Sequence, residues 1–412
     1  MKNSDRLRLH IPVPLSRPGD APDFSDLDIP PPDRIARPEV TAPASDLTSL
    51  AYGLVRVLDD EGRATGSWDP KLDPEMLDRA LRLMMLTRAF DERMMRVQRQ
   101  GKLSFYVPCT GEEAVAVGGT LALDPADMLF PSYRQQGALL TRGGRPVDMI
   151  CQLLSNAGDR LKGRQMPTMY SSRALNFFSI SGNLGTQYSQ AVGWAMASAL
   201  KGDTRVAMSW IGEGTTAEPD FHYAMTFASV YGAPVILNVV NNQWAISSYQ
   251  GFAGGGQSTF AARAIGYGVA GLRVDGNDLP AVYAATQWAR ERARANRGPT
   301  LIELFTYRAS AHSTSDDPSR YRPADEAQRW PLGDPVARLK QHMILRGLWS
   351  EERHVQLGAE LAEEVREADR QAEAHGTLPE HPGLVAGTMF EDVFKEMPWH
   401  LRRQRHELES QS

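Results

Sequence analysis

Two segments near the middle of the chain carry residues that could bind a metal ion and a phosphate group. The apolar run VAMSWI is followed by the turn GEG, which contains Glu213, and the run VILNVV is followed by NNQW, which contains Asn242. Both runs predict parallel strands, and open parallel sheets bind ligands at the carboxyl ends of their strands. A carboxylate, an amide oxygen and a backbone carbonyl suit Mg²⁺, which keeps its other positions for water and phosphate oxygens. The pattern therefore predicts a magnesium and diphosphate site where Glu213 and Asn242 meet.

Gly212 and Gly214 flank Glu213 and favour this interpretation, because their missing side chains let backbone amides and a ligand approach closely. A second interpretation stays open, since Glu213 could be a solvated carboxylate beside a helix N-terminus. A helix is predicted to begin near Ala217. The order of acidic turn, helix and asparagine-ended strand is more specific than the Gly-x-Gly turn alone.

Three further polar residues follow other predicted strands. Tyr133 and Arg134 come after DMLF, and His312 lies in the loop after TLIELFTY. A planar guanidinium can form two parallel hydrogen bonds to a phosphate, and a phenol can add another. A histidine at a strand end, close to Arg308 and to hydroxyl and acidic residues, can bind an anion or transfer a proton. These positions favour ligand binding over a surface ion pair for Arg134 and over a structural role for His312.

The loop SISGNLGTQ carries four side chains whose oxygen atoms could surround a monovalent cation or contact the edge of a ring. They are Ser181, Asn183, Thr186 and Gln187. Thr186 could instead cap the N-terminus of the following helix. Loops on a rigid scaffold commonly carry binding residues, so this loop is predicted to contribute to the site.

The elements that must position these residues predict an α/β fold with a largely parallel sheet flanked by helices. Apolar spacing indicates a long amphipathic helix from Asp73 to about Gly101. Another helix is predicted over Leu279–Arg297, with Asp278 as its cap. The alternation of strands and helices is typical of a parallel sheet covered on both faces.

Three regions are predicted along the chain. Residues 1–72 are rich in proline, which disfavours helices and central strands, and they form an extended arm. The binding domain spans 73–330, and a helical region spans 331–412. The arm could be a disordered tail, but apolar residues such as Ile29 and Val55 favour an arm that lies across a neighbouring subunit.

Composition excludes several classes of protein. The chain has 412 residues, of which 42% are hydrophobic, enough for a sizeable α/β core. The net charge of −5 argues against nucleic acid as a partner. No apolar run approaches the roughly 20 residues that a membrane-spanning helix needs.

Cysteine usage and the first residues indicate the compartment. Cys109 and Cys151 are the two cysteines, too few for a disulfide framework, which favours reduced thiols. The arm contains several aspartates, unlike a transit peptide, and shows no apolar signal-peptide core. We therefore expect a cytoplasmic, bacterial-type protein.

Nine short strings together resemble one family over almost all of the chain, from about Asp73 to Arg402. They are QRQGKLSFY, GEEA, PSYRQQG, KGRQMP, GEG, NNQWAIS, RVDGND, TYR and HSTSDD. The family is that of the branched-chain 2-oxo acid dehydrogenase alpha subunits, which have the thiamine diphosphate-binding fold. Pyruvate-type relatives more often have a different serine loop and an aspartate in place of Glu213. HSTSDD is the most discriminating string.

The resemblance implies a site for thiamine diphosphate and Mg²⁺, with K⁺ as a further possible ion. The metal ligands are Glu213, Asn242 and the backbone carbonyl of Trp244. The diphosphate side consists of Tyr133, Arg134, Gly212, Gly214 and His312. The aminopyrimidine side comprises Gly182 and Leu184. His312 is also implied as a catalytic residue that assists acyl transfer.

Two positions depart from the family pattern. Many relatives have an arginine where this chain has Val240, so one charge contact to phosphate is absent or replaced. Gly182 stands where relatives can have a serine. Ser313 matches the position that is phosphorylated in mitochondrial relatives.

The resemblance also implies partners: a beta subunit in an α2β2 heterotetramer, an acyltransferase core with lipoyl groups, and a branched-chain 2-oxo acid substrate. The segment Glu218–Tyr231, with Phe221, Met225 and Phe227, could be an interface helix or an ordinary core helix. Apolar residues between Phe390 and Trp399 are predicted to dock on a partner.

Three alternative functions remain open at the level of sequence. A pyruvate or acetoin dehydrogenase alpha subunit would have a similar site. A nicotinamide-binding oxidoreductase would need Gly-x-Gly-x-x-Gly, and GEGTTA lacks the third glycine. A non-catalytic scaffold subunit would bind no metal-dependent cofactor.

Overall fold

A parallel sheet forms the centre of the chain, in a computed structural model that describes residues 9–378, 386–391 and 393–410. Within these residues its strand order is β1-β2-β3-β7-β6, and a short antiparallel hairpin pairs β4 with β5. The strands are β1 (Met128–Phe130), β2 (Ala207–Gly212), β3 (Val235–Asn241), β4 (Trp244–Ala245), β5 (Ser248–Tyr249), β6 (Ala270–Asp275) and β7 (Thr300–Phe305). The predicted largely parallel sheet is confirmed.

Helices surround the sheet. They are α1 (Thr48–Tyr52), α2 (Pro74–Arg99), α3 (Glu113–Leu121), α4 (Gln136–Thr141), α5 (Pro146–Leu154), α6 (Thr186–Leu200), α7 (Pro219–Tyr231), α8 (Leu279–Arg294), α9 (Pro335–Leu345), α10 (Glu351–Glu373) and α11 (Trp399–Glu409). None of the helices in the described part of the chain is long and apolar enough to span a membrane.

Two hydrophobic clusters cover the two faces of the sheet. On one side α6 and α7 contribute Tyr188 and Phe221, which pack with Leu237 of β3. On the other side α8 contributes Trp288, in one cluster with Ile236. Successive β3 side chains therefore enter opposite layers, and all seven residues of this strand are buried. This explains why the central strands are continuous apolar runs.

The strand register brings the ends of the central strands level with one another. Gly212 of β2 pairs with Val240 of β3, and Val240 pairs with Leu304 of β7. The loops that follow these strands therefore leave the same edge of the sheet. This edge is where the sequence predicts the ligand site.

Most predicted element boundaries are close to the observed ones. Asp73 caps α2 by accepting a hydrogen bond from the Met76 amide at 2.7 Å, and Asp278 caps α8. The helix predicted to begin near Ala217 begins at Pro219, because Glu213–Ala217 first forms a 3-10 turn. A proline is well suited to that first helical position.

Several apolar residues of the arm, from Phe24 onwards, pack on their own chain. The ring centroids of Phe24 and Trp330 lie 5.5 Å apart in an edge-to-face contact. Val55 is fully buried and joins the edge of the sheet, because its amide donates to Arg273 O at 2.8 Å. The expectation that Val55 lies across a neighbouring subunit is therefore wrong. Ile29 likewise packs against a buried cluster of this chain.

Cys109 and Cys151 are buried, free thiols, as predicted. The predicted apolar set near the end of the chain lies within the described residues. Its members Val393, Phe394 and Trp399 are more than half exposed, so the chain itself leaves these side chains uncovered.

Candidate active site

A cavity of about 340 Å³ opens at the carboxyl ends of β1, β2 and β3. Its polar lining residues are Glu112, Ser132, Tyr133, Arg134, Gln135, Gln187, Glu213, Thr215, Asn242 and His312. The other lining residues are Gly182, Leu184, Gly212, Gly214, Val240, Trp244, Ala245 and Ile246. Every residue predicted to bind the cofactor or Mg²⁺ therefore lies at one cavity.

Glu213 begins the 3-10 turn after β2 and is 1% exposed. Its Oε1 atom is buried without a hydrogen-bond partner among the described residues. Burial, together with the nearby carboxyl of Glu112, raises the pKa of this carboxyl to about 7. A buried carboxylate oxygen without a partner is costly, and a cation in the cavity would satisfy it. The solvated alternative for Glu213 is wrong.

Asn242 is held in one orientation by its neighbours. Its Nδ2 donates to Glu112 Oε1 at 2.7 Å, and its Oδ1 accepts from the Trp244 amide at 3.3 Å. An amide oxygen has two lone pairs. Asn242 Oδ1 can therefore accept this hydrogen bond and still ligate a metal ion.

The Trp244 carbonyl, the third predicted metal ligand, accepts a hydrogen bond from Arg308 Nη1 at 2.7 Å. Arg308 is fully buried and also donates from Nη2 to Ile246 O at 2.9 Å and to Tyr321 Oη at 2.6 Å. The sequence placed Arg308 beside His312, but the structure shows that it holds the backbone after β3. One lone pair of the Trp244 carbonyl remains for a metal ion.

Arg134 connects the diphosphate-side residues. Its Nη1 donates to Pro108 O, and its Nη2 lies 3.1 Å from both His312 Nδ1 and His312 O. The Tyr133 ring contacts the His312 imidazole edge-to-face, with 5.9 Å between the ring centroids. The predicted trio of Tyr133, Arg134 and His312 therefore forms one contact group.

The contact with Arg134 also defines the state of His312. Burial, together with the positive charges of Arg134 and Arg308, lowers the pKa of His312 to about 3. A guanidinium only donates hydrogen bonds, so Nδ1 is the acceptor and Nε2 carries the proton. His312 is therefore a neutral hydrogen-bond donor at neutral pH.

The glycines of the site have different surroundings. An added Cβ atom at Gly182 or Gly212 would have no neighbour within 4 Å, so both face open space. At Gly214 it would lie 2.6 Å from the Ala245 Cβ. Gly214 is therefore needed for the close packing of the acidic turn against β4, whereas Gly212 leaves room for a ligand.

The four residues of the predicted monovalent-cation site separate into two groups. Ser181 Oγ accepts from the Asn183 amide at 3.1 Å, and Thr186 Oγ1 donates to Asn183 O at 3.0 Å. Gln187 instead lines the cavity and donates to Trp210 O of β2 at 2.9 Å. The alternative that Thr186 caps α6 is wrong, because Gly185 occupies that position.

Glu112 is the main site residue that sequence reasoning missed. It is 2% exposed, lies before α3, and contacts both Asn242 and Arg134, the latter at 3.7 Å. The string GEEA was the available signal, but two glutamates before an alanine- and valine-rich run are equally typical of the start of a helix. The contact between Glu112 and Asn242 could not be predicted, because the two residues lie 130 positions apart in the chain.

A family model described as "Dehydrogenase E1 component" matches residues 81–380, which is most of the chain. The chain belongs to this family. A second model, "2-oxoisovalerate dehydrogenase E1 alpha subunit N terminal", matches residues 5–45 of this E1 chain, within the arm.

Relatives that are 2-oxoisovalerate dehydrogenase alpha subunits match most of the E1 chain. It is 61% identical over 408 residues to the 2-oxoisovalerate dehydrogenase subunit alpha of Pseudomonas aeruginosa, covering 99% of this chain and 100% of the relative. It is 41% identical over 360 residues to the mitochondrial subunit of Bos taurus, covering 86% and 77%, respectively. The human mitochondrial subunit is 39% identical over 360 residues, covering 86% and 79%. These matches favour the branched-chain function over the pyruvate, acetoin, nicotinamide and scaffold alternatives.

The E1 family implies thiamine diphosphate, and the cavity fits it in two respects. The unpartnered Glu213 oxygen suits a cation, and the space beside Gly182 and Gly212 admits a ligand. Arg134 is the single lysine or arginine among the lining residues that the structure describes. No other basic side chain of this lining takes the place of the arginine that relatives have at Val240.

Proposed function

We propose that this chain is the alpha subunit of a branched-chain 2-oxo acid dehydrogenase. The enzyme would carry out oxidative decarboxylation of 3-methyl-2-oxobutanoate and related 2-oxo acids, with transfer of the acyl group to a lipoyl domain, in the breakdown of Val, Leu and Ile. Similarity over the whole chain to the Pseudomonas aeruginosa 2-oxoisovalerate dehydrogenase subunit supports the substrate class. The observation that carries the cofactor assignment is the buried, unpartnered oxygen of Glu213 beside Asn242.

Charge balance supports Mg²⁺ as part of this site. Among the described lining residues, the cavity has the carboxyl groups of Glu112 and Glu213 but a single arginine and no lysine, the arginine being Arg134. A diphosphate would be repelled by the carboxylates unless a divalent cation lay between them. We assign Glu213, Asn242 and the Trp244 carbonyl as the metal ligands.

When bound, thiamine diphosphate supplies the carbon that adds to the 2-oxo group and accepts the electrons of the broken carbon–carbon bond. The chain's own residues bind and orient it. Arg134 and Tyr133 would contact the diphosphate, and the neutral His312 would donate a hydrogen bond from Nε2. Gly182 and Leu184 would support the aminopyrimidine end. Acyl transfer would require a proton on His312, and negative charge nearby would raise its pKa towards that role.

A beta subunit completes the proposed enzyme. The family match to an alpha subunit implies this partner, and we propose an α2β2 heterotetramer bound to a lipoyl-bearing acyltransferase core. Leu184 and Ile246 line the cavity yet are 44% and 53% exposed, which supports a second chain over its opening. Thiamine diphosphate needs a carboxylic acid against its aminopyrimidine ring to become active, and in the family that this chain resembles a glutamate of the beta subunit provides it. We therefore expect the alpha chain alone to be inactive.

Calorimetry on the co-expressed alpha and beta subunits tests this proposal. Thiamine diphosphate should bind tightly with Mg²⁺ and weakly without it. Glu213→Gln, which keeps the shape but removes the charge, should weaken Mg²⁺-dependent binding by about a hundredfold, as expected for a lost charge-assisted ligand. Glu303→Gln is a matched control, since Glu303 is 1% exposed, lies on β7 and does not line the cavity.

Two results would overturn parts of this proposal, and a further titration tests the monovalent-cation site. Equal effects of Glu213→Gln and Glu303→Gln would overturn the metal assignment. Faster turnover of pyruvate than of 3-methyl-2-oxobutanoate would overturn the substrate assignment. A titration with K⁺ in place of Na⁺ tests the monovalent site, where Thr186→Val should remove any K⁺ dependence.

A further inference from the structure

The segment Tyr106–Thr110, which we call the strap, crosses between α2 and the loop that carries His312. It belongs to no helix or strand. Tyr106 and Cys109 are nevertheless completely buried. Because buried backbone groups need hydrogen-bond partners, side chains from other elements must hold the strap in place.

Asp91 of α2 holds the strap from one side and is 1% exposed. Its carboxylate accepts from Tyr106 Oη at 2.7 Å, from the Cys109 amide at 2.6 Å and from Gln136 Nε2 at 2.8 Å. The same Gln136 nitrogen lies 3.1 Å from Val107 O. One carboxylate thus fixes both ends of the segment from Tyr106 to Cys109.

The other side of the strap holds the residues of the cavity. Pro108 O accepts a hydrogen bond from Arg134 Nη1. The Tyr106 amide donates to Thr314 Oγ1 at 3.1 Å, and the Thr314 amide donates to Tyr106 O at 3.0 Å. Thr314 lies two residues after His312. The strap therefore contacts both the guanidinium and the histidine loop.

We propose that Asp91 is a positioning residue for the cofactor site and acts through the strap on Arg134 and the His312 loop. It does not line the cavity. Without its carboxylate the Cys109 amide would lose its partner in a dry interior, and the strap would shift to find another. Pro108 O would then move away from Arg134. The inference rests on the proposed function for the roles of Arg134 and His312.

The chemistry of the carboxylate predicts a graded series of variants. Asp91 faces three donors, and an ionised carboxylate only accepts. In Asp91→Asn the new NH₂ group must face one of them. Gln136 and Tyr106 can each accept a hydrogen bond instead of donating one, but the Cys109 amide can only donate, so the variant keeps the Cys109 contact. To accept from the new NH₂ group, the Gln136 amide must turn over, and its Nε2 then loses Val107 O. Asp91→Ala loses every contact and should have the larger effect.

Hydrogen–deuterium exchange on the cofactor-free alpha–beta complex measures the strap directly. In Asp91→Asn, peptides that cover Tyr106–Cys109 and His312–Asp316 should exchange about tenfold faster, since about one hydrogen bond is lost. The affinity for thiamine diphosphate with Mg²⁺ should fall about tenfold in calorimetry. Thr314→Val removes the other anchor and should give the same two effects, so the test does not depend on whether Asp91→Ala folds.

Asp369→Asn is the matched control. Asp369 is 1% exposed and accepts from Arg93 of the same helix α2 at 2.7 Å, but it does not contact the strap. It should change thermal stability without changing cofactor affinity. Equal affinity losses in Asp91→Asn and Asp369→Asn, or faster exchange in Asp91→Asn with normal affinity, would overturn the proposal. Absence of cofactor binding in the unaltered complex would instead refute the proposed function, while the exchange rates still test the strap.

Discussion

Arg134 shows how much one side chain does in this site. It contacts Pro108 O, His312 and Glu112, so its guanidinium joins a strap, a loop and a helix start. A lysine has the same charge but cannot extend to several acceptors in one plane. The planar geometry of the Arg134 guanidinium therefore matters as much as its charge.

Arg134→Lys tests this point. We expect cofactor affinity to fall by about tenfold or more, because the contacts to Pro108 and His312 cannot both be kept. Calorimetry with Mg²⁺ measures the loss. Arg142→Lys is the control, since Arg142 donates to Asp127 O at 3.1 Å and does not line the cavity. An unchanged affinity in Arg134→Lys would show that charge alone suffices.

His312 predicts a pH dependence of stability. Its pKa is about 3 in the folded chain and about 6.5 in an unfolded one, so the unfolded state binds more protons between these values. The stabilisation from keeping His312 neutral is therefore fully present above about pH 6.5. Below that pH the free energy of unfolding falls by up to about 1.4 kcal/mol per pH unit. From about pH 7 to about pH 5, the melting temperature of the cofactor-free complex should fall more for the unaltered protein than for His312→Asn. Parallel melting curves would contradict this assignment.

At the scale of elements, α7 explains why sequence patterns left two roles open. Phe221 and Met225 are buried in the core, whereas Phe227 is 51% exposed beside Tyr223 and Val230, which are 63% and 71% exposed. Helical spacing could not separate a core helix from an interface helix because α7 has an apolar residue on both faces. The structure resolves this by placing the sheet against one face.

The exposed face of α7 should contact another subunit. Phe227→Lys would place a charge in such a contact and should weaken assembly with the beta subunit, measured by sedimentation of the co-expressed chains. Val355→Lys on α10 is the control, because Val355 is 70% exposed on a helix otherwise rich in charge. The monomer's fold should survive both changes, as exposed substitutions rarely cost much stability. Normal assembly in Phe227→Lys would show that this face has no partner.

At the scale of the whole molecule, sequence alone predicted the parallel sheet and the gathering of Glu213, Asn242 and His312 at one edge. It could do so because each of these residues follows an apolar strand, and parallel strands end on the same side. It could not predict the roles of Glu112 and Asp91. Both lie on or beside helices, where their contacts depend on packing angles that no local pattern encodes.

The packing of the arm could not be predicted from sequence either, because proline-rich segments have no periodicity that indicates which surface they contact. Its described residues form two parts. Phe24 packs against Trp330, and Trp288 Nε1 donates to Pro38 O at 2.9 Å. Nearer the beginning, Leu9, Ile11, Val13 and Leu15 alternate along the chain and are 94%, 66%, 53% and 52% exposed. The first part packs on this chain, whereas the second leaves its apolar side chains exposed.

Two truncations separate these roles. Removal of residues 1–46 should lower the melting temperature of the complex by about 5 °C or more, because buried contacts with Trp330 and Trp288 are lost. Removal of residues 1–13 leaves those contacts in place, so the melting temperature should stay nearly constant while subunit assembly weakens. Calorimetric melting and sedimentation of the same samples measure both quantities. Equal melting temperatures in both truncations would mean that packing of the arm contributes no stability, and normal assembly without residues 1–13 would mean that the exposed apolar residues have no partner.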